Sequence, residues 1–372
     1  MPQKLNNLSI HAFRQMQNVE FHDFKDVNLL VGPNSSGKTS VLESVALFCR
    51  PLDPLELINT ARRREVKSSR ERLLDGVRWL FPQKSAAPSD PYFRGIISFS
   101  GSGTFHSKSQ IDFRGVLGDA VTESDDNESD ESSADEGGSS VSGGEESRRG
   151  AEITMSCDLN DPVYTVPYQF ELWEDERYIS RNVSAPALPV ATLSPVAHRV
   201  EAIQLRQLSD AILEQNLFSV IAAVKLIDDD IDNLEIVSRS GISPTLWVHH
   251  KRAGFSPVSS LGDGVRRVLA IALTLHSVRK GVLLIDELET AIHRDALVEV
   301  LKWIILAARH FDVQLFMTTH SLEAVDAVLT VTSECPEKIV AFRLPHHGSG
   351  EVKRFDGDVL DNLRFDRGVD VR

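Results

Sequence analysis

The chain is poor in the features that mark secreted, membrane-embedded or fibrous proteins. Its three cysteines, Cys49, Cys157 and Cys335, lie far apart and without metal-ligand spacing. They exclude a disulfide framework and fit a reducing cytosol. No segment approaches the ~18 apolar residues of a membrane span, and Met1 to Glu20 is polar and charged throughout rather than built around a signal-peptide core. The expectation is a cytoplasmic protein with no membrane partner. A sustained heptad array is missing, which excludes a long coiled coil, and no internal repeat is evident. Basic excess is missing as well. A formal net charge of −14 argues against a generic nucleic-acid coat, although much of it comes from one local run. In that run, from Glu123 to Glu146, there is no Lys or Arg, and Asp, Glu, Ser and Gly make up nearly everything. Little there can be buried against about 1–2 kcal/mol per residue of backbone ordering entropy, so residues 119–150 are expected to form a disordered acidic loop.

What is present is enough apolar residue, 41%, to build a sizeable core. The most informative stretch is Val27 to Ser40. Its apolar run, Val27-Asn28-Leu29-Leu30-Val31, reads as a buried parallel strand, and Val41, Leu42, Val45, Ala46 and Cys49 recur afterwards at helical spacing. Between them lies Gly32-Pro33-Asn34-Ser35-Ser36-Gly37-Lys38-Thr39, a P-loop in the strand-loop-helix context that the pattern requires. Backbone N–H groups converging at a helix N-terminus favour phosphate. Lys38 would reach the β- and γ-phosphates, and the Thr39 hydroxyl would hold Mg²⁺.

A second apolar run, Gly281 to Ile285, ends in Asp286-Glu287. Alone, such a pair is also what a helix N-cap looks like. Beside a P-loop it is a Walker B arrangement, with Asp286 holding Mg²⁺ through water and Glu287 polarising an attacking water. A third strand, Asp312 to Thr319, places His320 at the sheet rim, within reach of a γ-phosphate or that water. Upstream, Ser259 to Arg267 forms a Gly-containing turn opening an apolar helix. Ser260, Gly262, Gly264 and the following arginines there could offer a second anion site, or simply a capped helix start.

Elsewhere the pattern is coarser. Leu8 to Phe13 and Val19 to Phe21 read as strands with Gln15 to Asn18 turning between them, and Arg14 follows Phe13 at that turn. Residues 51–82 and 200–227 read as helical insertions, the first carrying the basic cluster Arg62-Arg63-Arg64, which could touch nucleic-acid phosphates but is more often a solvated helix face. Strands are expected at Gly95 to Phe99, Gln110 to Phe113, Ile153 to Cys157 and Tyr168 to Trp173, with a hairpin over Leu234 to Val248 turned at Ser240-Gly241.

The order of P-loop, Leu261-Gly262-Asp263-Gly264 signature, Walker B and His-containing strand resembles the ABC-type ATPase heads of the SMC and DNA-repair superfamily, most closely the OLD-like (overcoming lysogenization defect) ATPases. The likeness is carried by residues 1–48 and 259–330. It implies an α/β fold, a P-loop NTPase with a two-lobed head, mixed sheet and helical insertions. Lobe I would span 1–258 and lobe II 259–372. It implies ATP and Mg²⁺ as ligands, Gly32 to Ser40 as Walker A, and catalytic roles for Lys38, Glu287 and His320. Arg14 resembles the Phe-Arg arginine that contacts nucleotide, and Gln83 and Gln110 are the candidates for the Q-loop glutamine, with Gln110 preferred because it starts a strand. The signature residues Ser260, Gly262 and Gly264 would meet the nucleotide of a second subunit, giving a homodimer or higher oligomer through ATP-sandwiched heads. The chain ends at Arg372, soon after a strand at Lys338 to Leu344, so the TOPRIM nuclease domain of OLD-type nucleases is not expected within it. The implied partners are a separate nuclease or toxin effector and nucleic acid, in antiphage defence or DNA metabolism. Two alternatives stay open: the energy-coupling ATPase of a membrane transporter, disfavoured by the absence of Leu-Ser-Gly-Gly-Gln, and a nucleotide-gated scaffold with negligible turnover, disfavoured by Glu287.

Deleting residues 123–146 is expected to leave folding and ATPase activity intact, because the segment offers a core almost no apolar surface. A large fall in melting temperature on deletion would show the loop to be packed.

Overall fold

A computed structural model describes residues 4–64, 73–83, 90–104, 107–119, 147–159, 167–174, 187–200, 205–239, 242–345 and 351–372. The chain opens with β1 (Leu5–Phe13), β2 (Met16–Phe21), β3 (Val27–Val31) and α1 (Lys38–Cys49), then α2 (Pro54–Arg62) and α3 (Leu73–Arg78). Four strands follow: β4 (Arg94–Gly103), β5 (Ser107–Asp119), β6 (Ser147–Leu159) and β7 (Tyr168–Trp173). After β8 (Val190–Leu193) come α4 (Ala197–Val200), α5 (Leu205–Leu213), α6 (Leu217–Lys225) and the strands β9 (Ile231–Arg239), β10 (Ile242–His250) and β11 (Gly254–Pro257). The remainder is α7 (Asp263–Ser277), β12 (Val282–Ile285), α8 (Arg294–His310), β13 (Gln314–Thr318), α9 (Leu322–Thr332), β14 (Ile339–Arg343), β15 (Lys353–Asp356) and α10 (Gly357–Asp361).

These strands form three sheets. An antiparallel sheet has the order β2-β1-β4-β5-β6-β7, and a small one has β11-β10-β9. The central sheet has the order β15-β14-β3-β13-β12-β8; its strands run parallel except β15, which makes it mixed. Strands from both sides of position 258 share this sheet. β3, β12 and β13 are buried at every position, as strands covered on both faces must be. Their alternate residues enter two cores. Leu29, Val31, Leu283, Ile285, Leu315 and Met317 pack under α7, α8 and α9. Leu30, Leu284 and Phe316 face the antiparallel sheet instead, with α1 between the layers. That location explains why α1 is apolar on nearly every side and buried at all but one of its residues.

One polar contact braces the central sheet and another ties it to the antiparallel layer. The buried Asn28 donates to the Lys25 and Leu315 carbonyls at 2.7 and 3.0 Å, so a polar residue sits in the central strand at no hydrogen-bond deficit. Gln314 accepts from the Leu5 N–H at 2.8 Å and donates to the Leu5 and Lys25 carbonyls, both at 2.9 Å, pinning β1 to β13.

Several expectations shift. The turn after Phe13 is shorter than Gln15 to Asn18, since β2 already begins at Met16 and Arg14 takes the left-handed backbone, φ 52°. The helical stretch 200–227 is two helices separated at Glu214 to Asn216, and that at 51–82 is α2 and α3 with 65–72 outside the described residues. Of the expected acidic loop 119–150, Asp119 and residues 147–150 are strand, because β5 and β6 pair as far as Asp119 with Ser147; residues 120–146 lie outside the described residues. So does the Ser240-Gly241 turn, although β9 and β10 pair antiparallel around it. Among the described residues no helix is long and apolar enough to cross a membrane.

Phe24 joins the layers through edge contacts with Phe316 and Phe342, at ring-centroid distances of 4.9 and 5.3 Å, and it is fully buried. Phe24→Ala should lower stability by about 3–5 kcal/mol through lost burial and a cavity, read as a lower urea midpoint. A change under about 1 kcal/mol would show that the layers close over the gap.

Candidate functional site

The carboxyl ends of β3, β12 and β13 meet at one edge, because the parallel register pairs Leu30 with Thr318 and Ile285 with Met317. Ligands bind at this edge in parallel sheets. The loop Gly32 to Lys38 rises from it. A Cβ on Gly32, φ 146°, would stand 2.9 Å from Ser36 Oγ and 3.0 Å from the Leu344 carbonyl, so only glycine fits. Gly37, φ 96°, turns the chain into α1. Pro33, Asn34 and Ser35 form the loop's outer curve, with Ser35 also left-handed, and the first-turn N–H groups of α1 face the space it encloses.

Lys38 is only 5% exposed. Its ammonium donates to the Gly32 and Pro33 carbonyls at 2.7 and 2.9 Å. Burial lowers its pKa to about 8, against the opposing pull of Asp286, Glu287 and Glu289. Asp286 accepts from Thr39 Oγ1 at 2.9 Å and from Thr318 Oγ1 at 2.6 Å, and the Glu287 N–H donates to the same Thr318 hydroxyl at 2.8 Å. The Glu287 carboxylate accepts from Thr290 Oγ1 at 3.2 Å and lies 3.8 Å from His320 Nε2. The His320 N–H donates to Glu289 Oε1 at 3.0 Å.

This donor set fits Mg²⁺ and a nucleoside triphosphate. Ser36 Oγ is buried with no partner among the described residues, a deficit that a phosphate oxygen would fill. The Lys38 ammonium lies against loop carbonyls, poised to exchange them for phosphate. Thr39 and Asp286 offer adjacent hard oxygens for a small divalent cation, which when bound would neutralise phosphate charge beyond what the loop can. Glu287 and His320 stand side by side at the rim, 3.8 Å apart and partly exposed.

Arg14 and Lys38 line one cleft of about 720 Å³, together with Arg64, Trp79, Gln83 and His320. Within it Arg14 binds the fully buried Glu43 of α1, through Nε at 2.8 Å and Nη2 at 3.2 Å. Arg64 binds the same carboxylate twice at 2.8 Å and Ser40 Oγ at 2.9 Å. The Arg62-Arg63-Arg64 cluster is therefore not simply a solvated face: Arg63 pairs with Glu56 and Arg64 walls the cleft. Gln110 is not brought here. Alternation along β5 puts it on an exposed face, donating to Asp112, whereas Gln83 lines the cleft.

The signature residues are not walls of this cleft either. Ser260 is exposed and donates to the Pro257 carbonyl. Gly262 precedes α7, and a Cβ at its position would meet nothing within 4 Å. Gly264 instead faces its own chain, where a Cβ would stand 3.0 Å from the Ala291 carbonyl. Asp263 pairs with Arg199 and lies 3.5 Å from Arg266. Arg267, expected among the anion-binding residues, points inward and is buried. Thr318, Glu289, Glu43 and Arg267 take roles that the sequence alone does not assign. Only Thr318 carries a visible signal, as a hydroxyl at the polar end of a buried strand.

A profile of the family described as "AAA domain, putative AbiEii toxin, Type IV TA system" matches residues 27–326. An uncharacterized protein of Methanocaldococcus jannaschii is 35% identical over 115 residues, 30% of this chain and 99% of that one. The DNA replication and repair protein RecF of Nitrosococcus oceani is 49% identical over 44 residues, and the match spans 12% of each chain. Among solved structures, an SMC head bound to the C-winged helix domain of ScpA has a TM-score of 0.47 at 9% identity, covering 98% of this chain and 99% of its own. The recombination mediator protein RecF-ATPrS has a TM-score of 0.47 at 12% identity, covering 95% and 98%.

Lys38→Ala should abolish ATP binding or turnover, because removing the ammonium leaves β- and γ-phosphate charge uncompensated in the loop. Unchanged steady-state ATPase activity in this variant would remove the P-loop from the mechanism.

Proposed function

This chain belongs to the family of AAA domains described as putative AbiEii toxin of a type IV toxin–antitoxin system, and from that premise we propose an Mg²⁺-dependent ATPase whose ATP-bound heads pair head to tail. Its fold is that of a P-loop NTPase head of the ABC type, with a mixed central sheet and helical insertions. Lys38 and the loop N–H groups hold the phosphates, Thr39 and Asp286 orient the metal, Glu287 takes a proton from water, and His320 contacts the γ-phosphate. Pairing places the α7 N-terminus of one head against the γ-phosphate of the other, and hydrolysis releases it. Within this class we read the chain as an OLD-like sensor or clamp that works with a separate nuclease or toxin effector, and with nucleic acid, in antiphage defence or DNA metabolism. The motif order, the family's association with a toxin–antitoxin system and RecF's description as a replication and repair protein support that finer reading.

The observation that carries the pairing is that the site is divided. The cleft holding Lys38 and His320 has no wall from residues 258–264, while Gly262 and Ser260 leave the start of α7 open to an outside anion. A helix N-terminus with free N–H groups favours a phosphate, and ADP lacks the one that would bridge the two heads.

The test uses Glu287→Gln, whose turnover should fall by about 10²–10⁴-fold as the base is lost while ATP-Mg²⁺ remains bound. Its mass in solution should double with ATP-Mg²⁺ and stay single with ADP or no nucleotide. Adding Gly262→Asp should block association through repulsion of the incoming phosphate, with ATP binding unchanged. Gly262 is the right position because Gly264 would clash within its own chain. Equal mass in all three nucleotide states, with full turnover in the single variant Gly262→Asp, would refute the pairing.

A further inference from the structure

Arg267 heads the fully buried side chains by volume among the described residues, with no solvent exposure. A guanidinium so placed loses several kcal/mol of hydration unless polar groups surround it, so its partners account for its position. It lies one turn into α7, four residues after Asp263. Its Nη1 donates to the Ser194 carbonyl, just past the end of β8. Its Nη2 donates to the Asp286 carbonyl at 2.9 Å and faces the Glu287 carbonyl at 3.5 Å.

The peptide of Glu287 is therefore held from two directions. Its N–H is fixed by Thr318, a residue of the chain's own phosphate site. Its carbonyl oxygen, that of Asp286, accepts from Arg267 of the signature helix at 2.9 Å, and the same guanidinium faces the Glu287 carbonyl beyond it at 3.5 Å. Between the two, Glu287 takes a left-handed φ of 48°, a conformation that costs a non-glycine residue about 1–3 kcal/mol and persists only while its surroundings hold it. The forked, planar guanidinium suits this task, since its donors reach several carbonyls at once in fixed geometry.

We infer that Arg267 is a positioning residue that couples the two nucleotide sites of a pair. A partner's phosphate seated at the α7 N-terminus fixes α7. Through Arg267, α7 fixes the backbone of the base that acts on this chain's own nucleotide. The inference rests on the ATP-dependent pairing proposed above. It makes turnover in each head depend on nucleotide in both, so the rate rises with ATP concentration more steeply than a single-site curve.

The experiment compares wild type with Arg267→Lys and Arg267→Met, recording ATP binding, solution mass in the ATP state and ATPase rate against ATP concentration. Rates are normalised to bound ATP, so that a partly unfolded sample does not mimic a catalytic loss. The wild-type Hill coefficient should exceed 1. Lys keeps the charge but is a point donor on a flexible stem, and Met keeps much of the volume without the charge. In Arg267→Lys, ATP binding and association should persist, kcat should fall by about 10²-fold as the base is misplaced, and the Hill coefficient should drop to 1. Arg267→Met should show at least the same kcat loss; where it does not fold, Arg267→Lys decides alone. A lowered melting temperature with wild-type kcat and Hill coefficient would leave Arg267 a packing residue and overturn the coupling. A wild-type protein whose mass is the same with and without ATP overturns the pairing itself, and that result is distinct from the first.

Discussion

The site depends on one carboxylate shared between two hydroxyls. Asp286 accepts from Thr39 at the start of α1 and from Thr318 at the end of β13, so a single side chain locks the P-loop helix, the Walker B strand and the strand between them. The bonds are charge-assisted and sheltered, with Asp286 8% exposed, and such bonds are roughly twice as strong as neutral ones. Only the strand order permits this. With β13 between β3 and β12, the Thr318 hydroxyl stands midway between loop and acid, and it has a free lone pair for the N–H of Glu287. The Thr39 and Asp286 oxygens and the Glu287 backbone are thus preorganised by the sheet itself, which is how a site reduces reorganisation during reaction.

That arrangement needs a rigid floor, and α1 supplies it. A helix exposed on one side could tilt when phosphate arrives. This one is enclosed between the antiparallel and central sheets, and Glu43, inside the enclosure, is held by Arg14 from the β1–β2 turn and by Arg64 from the end of α2. Two guanidiniums on one carboxylate leave positive charge facing the cleft. The pair therefore serves both layers at once: it compensates a buried charge that would otherwise be costly, and it draws anions toward the loop.

What is legible in the sequence follows from how local each signal is. The Gly32 to Thr39 loop, Asp286-Glu287 and His320 each combine a strand end with functional side chains a few residues away, and the strands containing them are apolar enough to be read directly. Arg14 is recognisable at its turn, but its partner Glu43 is not, since a Glu between apolar residues in a helix looks like an ordinary helix former. Arg267 misleads for the complementary reason: an arginine at the start of a helix is ordinarily exposed, and only tertiary packing buries it. β8 and β11 escape notice because four residues are too few for a period. The ends of β5 and β6 escape it because Gly- and Arg-rich stretches flanking an acidic run hide strands that cross-strand pairing stabilises. Gln110 and Gln83 are equally good by residue type; the face of a strand decides between them.

The acidic side of the site carries the last step. Asp286, Glu287 and Glu289 outnumber the one ammonium among them, Lys38, whose charged form they favour. A phosphate entering such a place meets attraction from the loop N–H groups and repulsion from the Walker B turn. The carboxylates are not left free to swing toward it. Thr39 and Thr318 hold Asp286, Thr290 holds Glu287, and the His320 backbone N–H holds Glu289. Each tether keeps a negative group at a distance from the phosphates while leaving it within reach of a cation or a water. The balance favours a triphosphate that arrives with its divalent cation over the free anion.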